Sequence, residues 1–386
     1  MSHVVPVSAG AGDAPAGLLA ASLIVRNESA FIADCLASVR PVVDDIVVVD
    51  TGSTDDTAAI AASYGARVFH FRWRDDFAAA RNAGLDQCRT DWILYIDADE
   101  RLAPVPRGEV EALLSGAREA AFRLLLRPLV GATPYREYRL WRNDPRIRFC
   151  NAIHEKVVPA IHALAALERR PVSTCDLLLD HVGYEGDQTH KHRRNLPMLR
   201  RQVRAEPENL FLWHHLARVL AGLGQERASE QVLLHAIDIS RAKPEADYCG
   251  VLAYTELIGM RMARGEGVTD LIAEGRRCYP ANYVLIWQEA RLLAASGRPG
   301  DALAGFDALL AADQSRLPDA GPSYDQRLFT EAAHDGRALC LFRLGRYAES
   351  AEAYDLAARC APGNPEYPVK RQLALSMSGR PAPVAS

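Results

Sequence analysis

The sequence predicts an α/β domain built mostly on a parallel sheet, followed by an all-α array of helix pairs. Three observations predict it. From Leu18 to Asp97 short apolar runs alternate with helical stretches, the pattern of βαβ units. Two of those runs end in aspartate, at Asp50 and Asp97, and the carboxyl edge of an open parallel sheet is where ligands bind. In the carboxyl-terminal half a glycine-centred pattern recurs with helical spacing. The chain has 386 residues, enough for two or three domains at roughly 150 residues each. Hydrophobic residues make up 49% and charged residues 24%, so each domain can bury a full core. Lys and Arg number 45 against 49 Asp and Glu, a net charge of −4, which excludes the general electrostatic attraction that nucleic-acid binding uses.

Leu19–Val25 reads as the first strand. Phe31, Ile32, Cys35, Leu36 and Val39 then share one helical face. Ile46–Val49 is a β-branched run suited to a strand covered on both sides, and it ends at Asp50. Ser53 with Asp56 three residues on has capping-box spacing, and Gly65 sits where a C-terminal glycine closes a helix, so a helix is expected from about Thr54 to Tyr64. Ala66–Phe71 and Trp92–Ile96 are the third and fourth strands, the latter running into Asp97, Ala98, Asp99 and Glu100. Ala121–Leu126, Arg136–Trp141 and Leu177–His181 are strand-like and read as the mixed end of the same domain. Lys191–Asn195 leads into a purely helical region. The expected divisions are a disordered terminus over 1–17, an α/β domain over 18–190 and a helical domain over 191–386.

Aligning Gly224, Gly297 and Gly345 in the helical region puts Ala217, Ala290 and Ala338 seven residues before, and Leu220, Leu293 and Leu341 four before. Leu233, Phe306 and Tyr354 follow nine after. These offsets resemble the tetratricopeptide repeat, whose period is ~34 residues. The longer glycine intervals imply a degenerate unit around Val251–Pro280 and an insertion around Asp313–Tyr324. Stacked helix pairs present a concave surface suited to extended partners, the plainer reading being packed helices with no ligand.

The eight cysteines show no close pair of the zinc-knuckle or CxxC kind and read as small hydrophobes in a reducing compartment. The first seventeen residues carry no Lys or Arg, and the apolar run from Leu18 stops at Arg26. Neither a signal peptide nor a membrane span is therefore expected, and the location expected is the cytoplasm.

Asp97 and Asp99 flank a small residue just past a strand, where carboxylates can hold a hard divalent cation beside phosphates. Such a cation would neutralise a diphosphate leaving group. With ASLIVRNESAFIADCLASV, DDIVVVDTGSTDDT and FAAARNAG before it, the DWILYIDADERL stretch resembles glycosyltransferase family 2, the inverting GT-A enzymes, over residues 21–102. The resemblance implies a GT-A fold and a nucleotide-sugar donor, with Asp50 at the base or ribose. It places Arg81, Asn82, Arg26 and Glu28 in the nucleotide pocket, Asp97 at the ribose or metal, and Asp99 on Mn or Mg. Many relatives carry a second Asp where this chain has Thr51, which loosens the choice of base.

Downstream, RLWRNDPRIRFCNAIHEKV and LLLDHVGY look like the subgroup with carboxyl-terminal tetratricopeptide repeats that includes bacteriocin S-glycosyltransferases. An inverting transfer needs one general base. Glu155 is the candidate, with His154 as rival or orienting group and a surface pair as the alternative. His181 is implied as a further metal ligand, the alternative being a structural histidine. Arg139 and Arg142 around Trp141, and Arg193 and Arg194 in an acid-free stretch from Gln188 to Ala205, are candidates for holding a diphosphate or an anionic acceptor, or else solvated faces. The expected activity is metal-dependent, inverting hexose transfer from a UDP-sugar to a peptide, protein or glycan acceptor held by the repeats, which can also pair copies of the chain. The rival from another class is an inactive GT-A domain whose repeats scaffold a partner.

Overall fold

The computed structural model describes residues 4–6, 17–129, 131–183, 188–243, 248–317 and 323–379. The chain divides into two compact units, Met1–Asp187 with Leu317–Ser323, and Gln188–Arg316 with Tyr324–Ser386. Residues 184–187, just before the junction expected at 190/191, lie outside the described residues, as do 1–3 and 7–16 of the terminus expected to be disordered. Within that terminus Val4–Pro6 (β1) instead pairs antiparallel with Phe69–Phe71 at the sheet edge.

The sheet of the first unit starts from β2 (Leu19–Val25), β3 (Asp45–Asp50), β4 (Arg67–Phe71) and β5 (Trp92–Tyr95). In space they run β4-β3-β2-β5, all parallel. Helices α1 (Ile32–Val39), α2 (Thr57–Ser63) and α3 (Phe77–Leu85) make the crossovers. The valine run of β3 shows why it contains no polar residue: Val48 packs into the core that holds Ile32 and Leu36 of α1, while Val47 and Val49 pack towards α3. Successive side chains leave a strand on opposite faces, and here both faces are covered.

The expected helix from Thr54 starts late, at Thr57, and the capping box does not form. Ser53 Oγ is taken by the Asn27 backbone N–H at 3.0 Å, and Asp55 rather than Asp56 accepts from Thr57 N–H, at 3.1 Å. Gly65 closes the helix at φ +82°, as its position predicted.

Beyond β5 the sheet is mixed. After β6 (Glu100–Leu102) and α4 (Arg107–Leu114), β7 (Ala121–Pro128) and β8 (Tyr135–Arg142) form an antiparallel pair, and β8 joins β5 antiparallel. The β7–β8 connection is too short for a crossover helix, which sets that pair antiparallel and makes the mixed end that the sequence pattern suggested. After α5 (Val158–Glu168), β9 (Val172–His181) lies parallel to β7 and antiparallel to β6.

The second unit is all helix: α6 (Thr189–Ala205), α7 (Leu210–Gly222), α8 (Glu226–Ala242), α9 (Gly250–Ala263), α10 (Thr269–Cys278), α11 (Tyr283–Ala295), α12 (Pro299–Leu310), α13 (Glu331–Arg343), α14 (Tyr347–Cys360) and α15 (Glu366–Ser378). Gly224, Gly297 and Gly345 turn α7 into α8, α11 into α12 and α13 into α14, at φ +73°, +77° and +74°. Gly265, at φ +71°, does the same between α9 and α10, the degenerate unit. There Arg261 and Glu274 stand at the offsets that hold apolar residues elsewhere. The repetition extends to hydrogen bonds, since the buried Ser229 and Ser350, five residues after their glycines, both donate to the carbonyl seven before it, Ala217 and Ala338, at 2.8 Å. Part of the expected insertion, 318–322, lies outside the described residues.

Candidate active site

The site is built where β5 ends. The DADE turn closes on itself: Glu100 N–H donates to Asp97 O at 3.0 Å, and Asp97 N–H to Glu100 Oε2 at 2.9 Å. Two arginines reach Asp97 from different elements. Arg81, on α3, donates from Nη2 to Oδ1 at 3.0 Å, and Arg139, on β8, from Nη1 to Oδ2 at 3.3 Å. The Tyr95 hydroxyl donates to Oδ2 at 3.2 Å, and both guanidinium carbons lie 4.1 Å from the Tyr95 ring centroid. Each arginine goes on to a second carboxylate, Arg81 Nε to Glu155 Oε1 at 2.5 Å and Arg139 Nη2 to Glu100 Oε1 at 2.8 Å. The result is an alternating chain, Glu155–Arg81–Asp97–Arg139–Glu100, stacked on one tyrosine.

Burial works against the charges of Asp97 and Glu100, and the cations beside them decide which carboxyl keeps its own. Against desolvation, Arg81 and then Arg139 hold the Asp97 carboxyl down to about 2. Desolvation pushes the Glu100 carboxyl up to about 7 against the pull of Arg139. Glu100 gives a testable pH dependence. Between its ordinary value of 4.5 and about 7 the folded state keeps a proton that the unfolded chain releases, so stability falls as pH rises through that window and levels off above it. Melting curves of Glu100→Gln should lack that fall; a variant that tracks the parent across the window would remove Glu100 as its source.

Glu155 is delivered by a loop pinned to α3. Asn82 clamps the Phe149 backbone from both sides, Nδ2 donating to its carbonyl at 2.9 Å and Oδ1 accepting from its N–H at 2.8 Å. Phe77 N–H donates to Ala152 O at 2.8 Å, and Cys150 and Lys156 exchange backbone hydrogen bonds at 3.0 and 2.9 Å. His154 lies within the closed loop at φ +51°, half-buried. The side chain of Asn82, expected in the nucleotide pocket, thus shapes the loop that carries Glu155.

Asp99 points elsewhere. Its Oδ2 lies 3.2 Å from His181 Nε2, in register because β6 pairs with β9, and that bond raises the histidine above its ordinary value. Both side chains are part-exposed, 29% and 38%. Asp97, Asp99 and His181 therefore do not converge as a ligand triad, and among the described residues no three His, Cys, Asp or Glu side chains gather for a metal. The cations of Arg81 and Arg139 draw Asp97 away. The remaining carboxylate and imidazole fit a divalent ion that takes its other oxygens from phosphates and water.

Asp50 ends β3 only 1% exposed. Its Oδ1 accepts from the N–H groups of Gly52 at 3.0 Å and Ser53 at 2.8 Å, a turn that needs Gly52 at φ +110°. Its Oδ2 lies 3.4 Å from Nδ1 of the exposed His70. Thr51, in place of a second acid, donates its hydroxyl to Val25 O at 3.0 Å. Arg26 is exposed at the end of β2, and Glu28 N–H donates to Thr57 Oγ1 at 2.8 Å. This group sits at the ends of β2, which pairs with β5, and of β3 beyond it.

Strand parity splits the two arginines around Trp141. Arg139 faces the site, while Arg142 lies over Trp92 and donates from Nε to Glu119 O at 2.8 Å. Arg193 and Arg194 belong to the other unit. Sequence reasoning missed Tyr95 and Glu100, whose only signals are their places at the strand end and in the acidic turn.

The first unit is an α/β domain with an acidic turn just past the end of β5. Residues 22–158 match the family model for glycosyl transferase family 2, and that segment is a domain of this family. Among curated relatives, a TPR repeat-containing protein of Synechococcus elongatus is 35% identical over 58% of this chain and 58% of its own length. Glycosyltransferase SunS of Bacillus subtilis is 28% identical over 48% and 45%. The lipopolysaccharide core biosynthesis glycosyltransferase LpsC of Rhizobium meliloti is 35% identical over 36% and 57%. The chain thus spans about half the length of these relatives. Among solved structures, Staphylococcus aureus TarS 1–349 with UDP-GlcNAc is a distant likeness, 15% identical over 62% of this chain and 80% of that one, with a TM-score of 0.37. All eight cysteines are unpaired, and among the described residues no helix is long and apolar enough to cross a membrane.

Proposed function

We propose that this protein is a glycosyltransferase that moves a hexose from a UDP-sugar, with inversion, to a peptide, protein or saccharide acceptor. The observation that carries the reading is the linkage, inside a family 2 domain, of the strand-end Asp97 to Glu155 through Arg81. Asp50, Arg26 and Glu28 line the nucleoside side. Asp99 and His181 hold Mn or Mg, which supplies neutralisation of the diphosphate charge when bound. In the transfer the acceptor's nucleophilic atom forms a bond to the anomeric carbon as the bond to the diphosphate oxygen breaks and its electron pair leaves with UDP. The acceptor proton goes to Glu155, whose Oε1 Arg81 holds while Oε2 receives it, with His154 the rival base. The helix pairs hold the acceptor, and the working compartment is the cytoplasm.

The test is direct. The full chain is incubated with a panel of nucleotide sugars with and without manganese, and nucleoside diphosphate release and melting temperature are read together. UDP-sugars are expected to be turned over, and UDP with manganese to stabilise the fold by about 2.7 kcal/mol at a hundredfold excess over Kd. No release from any donor and no stabilisation would overturn the proposal in favour of the scaffold reading.

A further inference from the structure

Charge that is balanced over the whole chain is not balanced along α6. Between Gln188 and Ala205 stand one lysine and five arginines with no acidic residue, in a chain whose net charge is −4. Burial sorts these residues by helical phase. Met198, Leu199, Gln202 and Val203 are buried on one side, where α6 packs on α7, and Arg193, Pro197, Arg200, Arg201 and Arg204 are exposed on the other. At 3.6 residues per turn Arg193, Arg200 and Arg204 fall within about 40° of one another, a row about 16 Å long. None of these three makes an ion pair among the described residues. Elsewhere in this unit Arg241, Arg261, Arg264 and Arg276 are paired with Glu274, Glu230, Glu266 and Glu289.

We propose that this face of α6 docks the protein onto an anionic phospholipid surface. The arginines stand in a row rather than converging, so they match a field of separate phosphates better than one small anion, and each guanidinium can take a phosphate in bidentate fashion. Charge complementarity names the partner class, and the lack of large exposed apolar side chains on the row says how it binds. Association is electrostatic and shallow, with no inserted anchor, and salt weakens it. The row has no aromatic side chain on which a base would stack, which disfavours single-stranded nucleic acid.

The inference does not depend on the reaction proposed above, and its test reads binding alone. The full chain is sedimented with vesicles of phosphatidylcholine, with or without phosphatidylglycerol, at low and at high salt. Binding is expected only to the anionic vesicles, lost at high salt, and weakened by more than about tenfold in R193Q/R200Q/R204Q, since each arginine near such a surface contributes on the order of a fivefold factor. The variant R193K/R200K/R204K keeps the charge and should keep most of the binding. Equal binding to neutral vesicles, undiminished binding by the glutamine variant, or binding to an RNA oligonucleotide but not to vesicles would each overturn the proposal.

Discussion

Glu155→Gln is expected to lose transfer by about a hundredfold or more at saturating donor while folding normally, the usual cost of removing a general base. The amide preserves the shape of the side chain, and its oxygen can still accept from Arg81 Nε. What disappears is the capacity to take a proton. Arg81 is not left as an uncompensated buried cation, because Asp97 remains on its Nη2 at 3.0 Å. Single-turnover rates with donor prebound isolate the chemical step, and a melting curve separates chemistry from folding. A loss smaller than about tenfold would pass the base to His154, in which case His154→Gln should show the larger deficit.

How much of this was legible depended on the range of the interaction. The strand ends at Asp50 and Asp97 were readable because the runs before them are apolar and uninterrupted, and period and burial are local properties. The repeat turns were readable because each needs a glycine at positive φ, with apolar residues at fixed distances around it. The roles of Asn82 and Ser53 were not. Asn82 is spent on Phe149, 67 residues away, and Ser53 on Asn27, 26 residues back. No local pattern records such a partner. The same limit explains Asp97: its spacing from Asp99 suggests a shared cation, whereas two arginines from α3 and β8 draw it into an ionic chain of its own. Helix α3 escaped notice because its alanines pack without a strong apolar periodicity.

That ionic chain makes Arg139 the position where a substitution should cost the fold most. Arg139→Met is expected to destabilise the first unit by about 3–5 kcal/mol, because it leaves carboxylates buried without their cation. Glu100, 2% exposed, loses the donor to Oε1, and Asp97 loses one of its two guanidinium partners. The cost should depend on pH in a definite direction. Glu100 is already pushed up to about 7 with Arg139 present, so without that cation it keeps its proton to higher pH and escapes the penalty by staying neutral. The deficit should therefore be smaller below about pH 6 than above about pH 8. Adding Glu100→Gln removes the stranded charge, so the double variant should be more stable than Arg139→Met alone at the higher pH, a non-additivity that a double-mutant cycle reads directly. Additive losses, or a single-variant loss below about 1 kcal/mol, would mean that packing around Tyr95 rather than charge pairing holds the site together.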